Sequence, residues 1–177
     1  MKAVAGLAIF TAFLGAAATL AGCGSSSPAS PSTSRLPPLA DMLVDKVLGS
    51  AGAPVTMIEY SSLNCSHCAD FHRVTLPQLR ANYIDPGRVK LVYREFPLSD
   101  AATSASMVAR CSGDKFFTTL DVLFQGQASW ASSADVAGAL KSLVAPLGMT
   151  SADVDGCLAS QELRAGILDM KQVGTRD

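Results

Sequence analysis

Residues 55–68 read VTMIEYSSLNCSHC and join a strand pattern directly to a pair of cysteines. The first six residues are β-branched, apolar or aromatic except for Glu59, which is typical of a buried strand. Cys65 and Cys68 follow after a short turn and stand at the start of a helical pattern that extends to about residue 83. This stretch therefore predicts a strand, a turn and a helix that carries a CxxC motif at its N-terminus.

The spacing of the two cysteines suits thiol–disulfide exchange. That chemistry needs two thiols close enough to form a ring and one thiolate that is stabilised as a nucleophile. Unpaired N–H groups and the dipole of a helix N-terminus favour negative charge, so we expect Cys65 to be the more exposed nucleophile with a lowered pKa. Cys68 lies one turn further in, where we expect it to be buried and to resolve the mixed disulfide. His67 is expected to donate towards the Cys65 thiolate and to lower its pKa further.

Residues 59–68 resemble the strand, turn and CxxC segment of the DsbA family, which belongs to the thioredoxin-fold superfamily. That family commonly has Pro-His between the cysteines, and here Ser-His keeps the histidine. The resemblance implies an α/β fold, a thioredoxin-like sheet with a helical subdomain inserted at about residues 99–170. It also implies an exported thiol–disulfide oxidoreductase that exchanges the Cys65–Cys68 disulfide with protein thiols, works with a redox partner protein and uses no cofactor.

Glu59 stands six residues before the first cysteine. Thioredoxin-like enzymes have a buried proton acceptor at that place, and the resemblance implies the same role for Glu59. The residues themselves also favour this role, because burying a lone carboxylate in an apolar strand costs free energy, and such groups are typical of functional sites. An outward-facing position on an edge strand is the alternative.

Two other interpretations of the motif are open at this point. Four possible metal ligands lie within eight residues: Cys65, His67, Cys68 and His72. A structural zinc site usually takes a second ligand pair at CxxC or HxxxH spacing, and neither Cys111 nor Cys157 belongs to such a pair. We therefore predict no metal site. The other alternative is a non-catalytic exported domain with an inert disulfide, whose thiols would keep a pKa of about 8.5 when reduced.

The N-terminal forty residues are expected to lie outside the folded domain, which we place at 41–177. Residues 3–20 are apolar or small and uncharged, but rich in alanine and glycine, as in a secretory signal peptide. The sequence LAGC that ends at Cys23 resembles the bacterial lipobox, which implies cleavage before Cys23 and attachment of a diacylglyceryl group to it. We expect a lipoprotein signal peptide at 1–22 and a flexible Ser/Pro-rich tether at 23–40. An ordinary signal peptide with an incidental cysteine is the alternative.

The expected location is the bacterial cell envelope, with the protein held at a membrane by its lipid. Some Gram-negative bacteria retain lipoproteins in the inner membrane when aspartate follows the lipidated cysteine. Gly24 stands there instead, which favours the periplasmic face of the outer membrane. A formal net charge of −1 and sparse aromatic residues speak against nucleic-acid binding. The tether is too short for the dimerisation domain of family isomerases, so we expect a monomer.

The remaining chain predicts one more strand and a block of helices. A strand at 89–96 would complete a parallel crossover, and residues 42–48 predict a short edge strand. Pro77 should kink the helix that follows the motif. Four helical patterns follow, at 99–111, 114–126, 132–147 and 151–170, with Ser132 and Ser151 as candidate N-caps.

A structural disulfide is predicted between Cys111 and Cys157. In an oxidising compartment thiols pair or do redox work, and four cysteines remain when Cys23 is set aside. Both residues lie on apolar faces of their predicted helices, and antiparallel helices could bring their Cα atoms within bonding range. Two separately buried thiols are the alternative, because spacing alone does not fix connectivity.

The C-terminal part of the sequence departs from the DsbA pattern. Family members have a cis-proline loop, two further strands and a last helix after the helical block. This chain has no proline after Pro146, and Arg176 follows residues 173–175 where the loop proline is expected. The resemblance therefore predicts a C-terminally truncated chain that lacks the hairpin and last helix. In such a chain the strand at 55–60 would become an exposed edge.

Overall fold

The computed structural model describes residues 36–176, which form one sheet covered by helices. Within these residues the sheet has three strands, in the order β1–β3–β2: β1 (Lys46–Leu48), β2 (Val55–Ser61) and β3 (Val89–Glu95). The central strand β3 is antiparallel to β1 and parallel to β2. The predicted parallel pair and the helical crossover between its strands are therefore confirmed.

The edge strand predicted within residues 42–48 begins later than expected. Helix α1 (Leu39–Leu43) occupies the first part of that stretch, and β1 starts only at Lys46. The reason is packing, because helical backbone places Met42 in an apolar cluster where only 5% of the residue is exposed. The sequence pattern was too short to distinguish a buried helical turn from a strand.

The expected signal peptide (1–22), the lipidation site Cys23 and most of the expected tether (23–40) lie outside the described residues. Where the tether enters the described part of the chain, Leu36 packs against the apolar cluster that contains Met42. In that described part, none of the helices combines the length and the apolar composition that a membrane crossing requires.

The crossover between β2 and β3 is an irregular helix of four consecutive segments. They are α2 (Ser66–Asp70), a wide π-type turn (Phe71–Thr75), α3 (Leu76–Leu79) and a second wide turn (Arg80–Ile84). Pro77 lies at the start of α3, where its missing N–H costs least. The irregularity predicted at Pro77 therefore takes the form of wide turns on both sides of α3. Such turns are frequent at functional sites, and the first one carries His72.

The predicted helical insertion is confirmed, although its helix boundaries differ. It consists of α4 (Asp100–Cys111), α5 (Phe116–Gln125), α6 (Gln127–Trp130), α7 (Val136–Val144), α8 (Ser151–Ala159) and α9 (Gln161–Arg176). Asp135 rather than Ser132 caps α7, through a hydrogen bond to a first-turn N–H. Thr150 rather than Ser151 caps α8, in a reciprocal capping box with Asp153.

The single helix predicted over residues 151–170 is two helices, because Ser160 has extended backbone between them. The second, α9, continues through residues 173–175, which the sequence had predicted to lead towards a loop. Gly174 explains why this last turn packs closely: a Cβ there would lie 2.6 Å from ring atoms of Tyr60 on β2. Helix α9 thus covers the end of the strand that leads to the CxxC motif.

The edge of the sheet formed by β2 is apolar and open among the described residues. Val55 and Ile58 expose 54% and 47% of their surface. The main apolar core lies away from this edge, between the sheet and the helical insertion, and includes Tyr93, Phe124 and Trp130.

A disulfide joins Cys111 at the end of α4 to Cys157 in α8, with a Cα–Cα distance of 6.2 Å. Both residues are buried in the apolar cluster that also holds Met42 and Ile167. This is the pairing predicted from their apolar positions. It links the start and the end of the helical insertion across 46 residues of sequence.

Candidate active site

The turn between β2 and α2 is held by side chains from distant elements. The Ser62 hydroxyl donates to Asn64 Oδ1 at 2.7 Å, and Asn64 Nδ2 donates to the Ser99 hydroxyl at 3.0 Å. Gln127, at the start of α6, donates from Nε2 to the carbonyl oxygens of Leu63 at 2.7 Å and Cys65 at 2.9 Å. These bonds fix the backbone just before the CxxC motif. Sequence reasoning missed Gln127, because a contact across 62 residues leaves no local pattern.

Cys65 occupies the N-cap position of α2, with extended backbone at φ −85° and ψ 122°. Burial alone would raise the pKa of its thiol, but hydrogen bonds outweigh that effect and lower the pKa. The donors are the backbone N–H and the thiol of Cys68, followed by the backbone N–H of His67. The helix start therefore stabilises the Cys65 thiolate, as its position in the sequence predicts.

Cys68 differs from Cys65 in the direction of its pKa shift. Burial raises the pKa of the Cys68 thiol, and the Ser61 hydroxyl and the Ser62 backbone only partly oppose this. Cys68 packs against the main core but is only partly buried, so the structure does not show the buried thiol that we expected. The two thiols are both free in this structure, and the Cys68 thiol is close enough to donate to the Cys65 sulfur.

His67 is exposed to solvent. What His67 contributes to the lowered pKa of Cys65 is its backbone N–H, which points along the helix axis. A residue at this position donates that bond whatever its side chain. A contribution of the His67 imidazole to the Cys65 thiolate stays a prediction.

Glu59 lies on β2 with its side chain largely buried, at 13% exposure, rather than facing outward. Its Oε1 atom lies 3.0 Å from Nε2 of His72, whose side chain is only 2% exposed. His72 entered the sequence analysis only as a possible metal ligand, because the two residues belong to different elements. Their contact places a carboxylate and an imidazole together directly behind the CxxC helix.

A groove of about 250 Å³ opens beside the motif. Six residues line it: Glu59, Tyr60, Ser61, His67, Cys68 and Phe71. The groove therefore brings together three of the predicted site residues, Glu59, His67 and Cys68. Cys65 lies at the N-cap next to it.

No cluster of three or more histidine, cysteine or acidic side chains suited to a metal ion occurs within residues 36–176. His72, one of the four possible ligands in the sequence, is instead bonded to Glu59. The geometry of the described site is that of a thiol pair with a nearby carboxylate.

The family described as Thioredoxin matches residues 42–177. This chain belongs to the thioredoxin family. The thioredoxin fold with a helical insertion is also that of α-DsbA1 from Wolbachia pipientis, which superposes with a TM-score of 0.70 at 29% identity over 75% of this chain and 68% of that one. BdbD from Bacillus subtilis shares the fold, with a TM-score of 0.66 at 19% identity over 80% of this chain and 78% of that one.

A thioredoxin-family relative from Rickettsia bellii, whose name places it among protein-disulfide oxidoreductases, is 31% identical over 121 residues. The match covers 67% of this chain and 47% of that protein. The chain thus spans about half the length of the curated relatives it matches. The DsbA-like fold class expected from residues 59–68 is confirmed by these comparisons.

Proposed function

We propose that this protein is a thiol–disulfide oxidoreductase that exchanges the Cys65–Cys68 disulfide with thiols of other proteins. The observation that carries the proposal is the placement of the two free thiols, with Cys65 at the N-cap of α2 and Cys68 one turn further in, in the groove that Glu59 also lines. The opposite directions of their pKa shifts, lowered for Cys65 and raised for Cys68, agree with this asymmetry. A purely structural pair of cysteines has no need for one stabilised thiolate. The relatives named as protein-disulfide oxidoreductases support the same activity.

The exchange follows from this asymmetry. A substrate thiolate attacks the Cys65 sulfur of the oxidised pair, the S–S bond breaks, and Cys68 leaves as a thiolate that takes up a proton. A second substrate thiolate then attacks the mixed disulfide and releases Cys65 as its stabilised thiolate. The substrate is oxidised by two electrons and the CxxC pair is reduced by two. A low pKa makes Cys65 the better leaving group in the second step.

Glu59 is the proton acceptor and donor for Cys68 in this proposal. Both side chains line the same groove, and Glu59 Oε2 is buried with no hydrogen-bond partner among the described residues. When Cys68 attacks, its proton moves to the carboxylate, and when Cys68 leaves, the proton returns. Ser61, the last residue of β2, lines the same groove, and its hydroxyl partly opposes the raised pKa of Cys68.

The cellular setting is part of the proposal. The LAGC sequence before Gly24 supports export and lipid attachment at Cys23, with a monomeric domain on a tether in the periplasm and the outer membrane favoured over the inner. A redox partner protein would return the CxxC pair to its working state. Incorporation of labelled fatty acid by the wild type but not by Cys23→Ser tests the anchor, and equal labelling of both contradicts it.

Alkylation of the reduced protein across pH tests the redox assignment. The chain carries Cys23→Ser, so that only Cys65 and Cys68 offer free thiols, since Cys111 and Cys157 are paired. We expect iodoacetamide to label Cys65 first, with a midpoint below the value of about 8.5 for an ordinary thiol. Equal labelling of both cysteines with a midpoint near that value would mean an inert pair.

A further inference from the structure

A line of buried polar side chains connects the CxxC helix with a second groove on the other side of the crossover. Five buried atoms in the described residues have no direct hydrogen-bond partner: Glu59 Oε2, Ser61 Oγ, His72 Nδ1, Tyr93 OH and Thr119 Oγ1. Buried polar atoms are nearly always paired, and exceptions mark functional or water-bridged positions. The proposed function uses Glu59, but not the histidine behind it.

His72 is held as a bridge between two acidic side chains. Its Nε2 atom lies 3.0 Å from Glu59 Oε1, and its Nδ1 atom lies 3.9 Å from Asp121 Oδ1 on α5. The ring stacks on Phe124 with centroids 4.2 Å apart, which fixes its orientation. One nitrogen therefore faces the buried carboxylate and the other faces a carboxylate that is 42% exposed.

The second groove gives this histidine a route to solvent. It has a volume of about 560 Å³, and His72, Arg80 and Asp121 are among its lining residues. None of the residues that line it belongs to the groove beside Cys68. We call it the rear groove. The pair Glu59–His72 thus separates two openings, one at the CxxC motif and one behind it.

A proton route through the rear matters when a substrate is bound. A protein joined to Cys65 in a mixed disulfide covers the groove that contains Cys68 and Glu59, and the proton of Cys68 must still be exchanged at that stage. We propose that His72 and Asp121 form a proton relay that connects Glu59 to solvent in the rear groove. The relay rests on the proposed function, because it serves the thiol of Cys68.

The transfer balances without any further reactant. Cys68 gives its proton to Glu59, and its thiolate attacks the Cys65 sulfur and displaces the substrate thiolate. Protonated Glu59 donates to the free Nε2 of His72 in its Nδ1–H tautomer, while Nδ1 passes its proton to Asp121 through water in the rear groove, because the two atoms are 3.9 Å apart. The ring, now protonated on Nε2, returns to the Nδ1–H tautomer by proton exchange with that water. Each step is reversible, so the same path returns a proton when Cys68 leaves as a thiolate.

The groups packed around His72 suit this role. The ionisable ones in contact with it are Glu59 from β2, Tyr93 from β3 and Asp121 from α5. Arg73, Arg80 and Asp85 also line the rear groove. Burial alone would lower the pKa of His72, but the carboxylates of Asp121 and Glu59 raise it. Burial, with the charges of Glu95 and Glu59, raises the pKa of Tyr93, so the phenol stays protonated.

Two-step release of thionitrobenzoate (TNB) tests the relay. Reduced protein with Cys23→Ser reacts with dithionitrobenzoate (DTNB), first at Cys65, in a phase that depends on the reagent concentration. Cys68 then attacks the mixed disulfide at Cys65 and displaces the second TNB, in a phase whose rate is independent of the reagent concentration. We compare His72→Gln and Asp121→Asn with Gln125→Ala, a change in the wall of the same groove outside the relay.

We expect both relay variants to slow the second phase at least about tenfold, the lower end of what proton transfer contributes, and to leave the first unchanged. The wild type should show a solvent isotope effect on the second phase only, and imidazole should restore that phase in His72→Ala. An unchanged second phase in His72→Gln or in Asp121→Asn, which is half-exposed and safe for folding, overturns the relay. A wild type without any second phase contradicts the proposed function itself.

Discussion

Arg110 and Glu95 form an ion pair in which neither side chain has any exposed surface. The guanidinium donates to both carboxylate oxygens of Glu95. It also donates to the carbonyl oxygens of Met42 and Val44, at 2.6 Å in both cases. One arginine thus joins β3, α4 and the C-terminal end of α1. Because the pair satisfies its hydrogen bonds internally, removing one partner leaves a buried charge alone.

We therefore expect Arg110→Met to lower the free energy of unfolding by about 3–5 kcal/mol, as for other broken buried pairs. The double variant Arg110→Met/Glu95→Leu removes both charges and should recover part of that loss. Urea denaturation measures both. A single variant as stable as the wild type would contradict a structural role for the pair.

The disulfide between Cys111 and Cys157 should contribute strongly to stability. Closing a loop of this length in the unfolded chain is worth about 4 kcal/mol by chain entropy. We expect Cys111→Ala/Cys157→Ala to lose stability of that order in urea, while Cys65→Ala/Cys68→Ala loses much less. Non-reducing peptide mapping checks the pairing directly. Alkylation of both Cys111 and Cys157 in oxidised, unfolded protein would show that they are not joined.

Mutation can separate the contributions of Cys68 and His67 to the lowered pKa of Cys65. Cys68→Ala removes a thiol donor and should raise the pKa of Cys65. His67→Ala keeps the backbone N–H, so the pKa of Cys65 should stay below that of an ordinary thiol. The pH dependence of alkylation measures both. A return to about 8.5 in His67→Ala would show that the imidazole itself stabilises the thiolate.

Gln127 should be necessary for the shape of the turn before the CxxC motif. Gln127→Ala removes two hydrogen bonds to backbone carbonyls, each worth about 0.5–1.5 kcal/mol net, so we expect a loss of about 1–3 kcal/mol. The exposed Gln125 on the preceding helix provides the matched control, since Gln125→Ala should change stability little. Equal unfolding free energies of Gln127→Ala and Gln125→Ala would contradict the prediction that Gln127 stabilises the turn.

His72 should make the stability depend on pH. Its pKa is raised in the folded state, so the stability it contributes is fully present below its unfolded pKa of about 6.5 and is lost as the pH rises through the folded value. The difference in unfolding free energy between wild type and His72→Gln should therefore be larger at pH 5 than at pH 8. Asp121→Asn should flatten this dependence. If the difference in unfolding free energy between wild type and His72→Gln were larger at pH 8 than at pH 5, the pKa of His72 would not be raised by folding.

Local patterns were sufficient for the strand and cysteine motif at 55–68, where apolar periodicity and spacing act within one segment. They were insufficient for the caps of α7 and α8, because neighbouring Ser, Thr and Asp residues compete for the same role. The contact of Glu59 with His72 spans 13 residues and exists only once β2 and the crossover pack together. Tertiary packing also decided that Met42 lies in a helix.

The burial of the second disulfide has a consequence for electron flow. Cys157 has no exposed surface and Cys111 only 6%, whereas Cys65 and Cys68 both reach the surface. Thiolates exchange only with sulfur atoms that they can approach in line, so an incoming thiol meets one pair and not the other. The molecule thus carries two cysteine pairs, of which thiols from solvent can reach only the one in the CxxC motif. In the proposed exchange, oxidising equivalents would therefore enter and leave at the CxxC motif, and the Cys111–Cys157 disulfide would take no part in it.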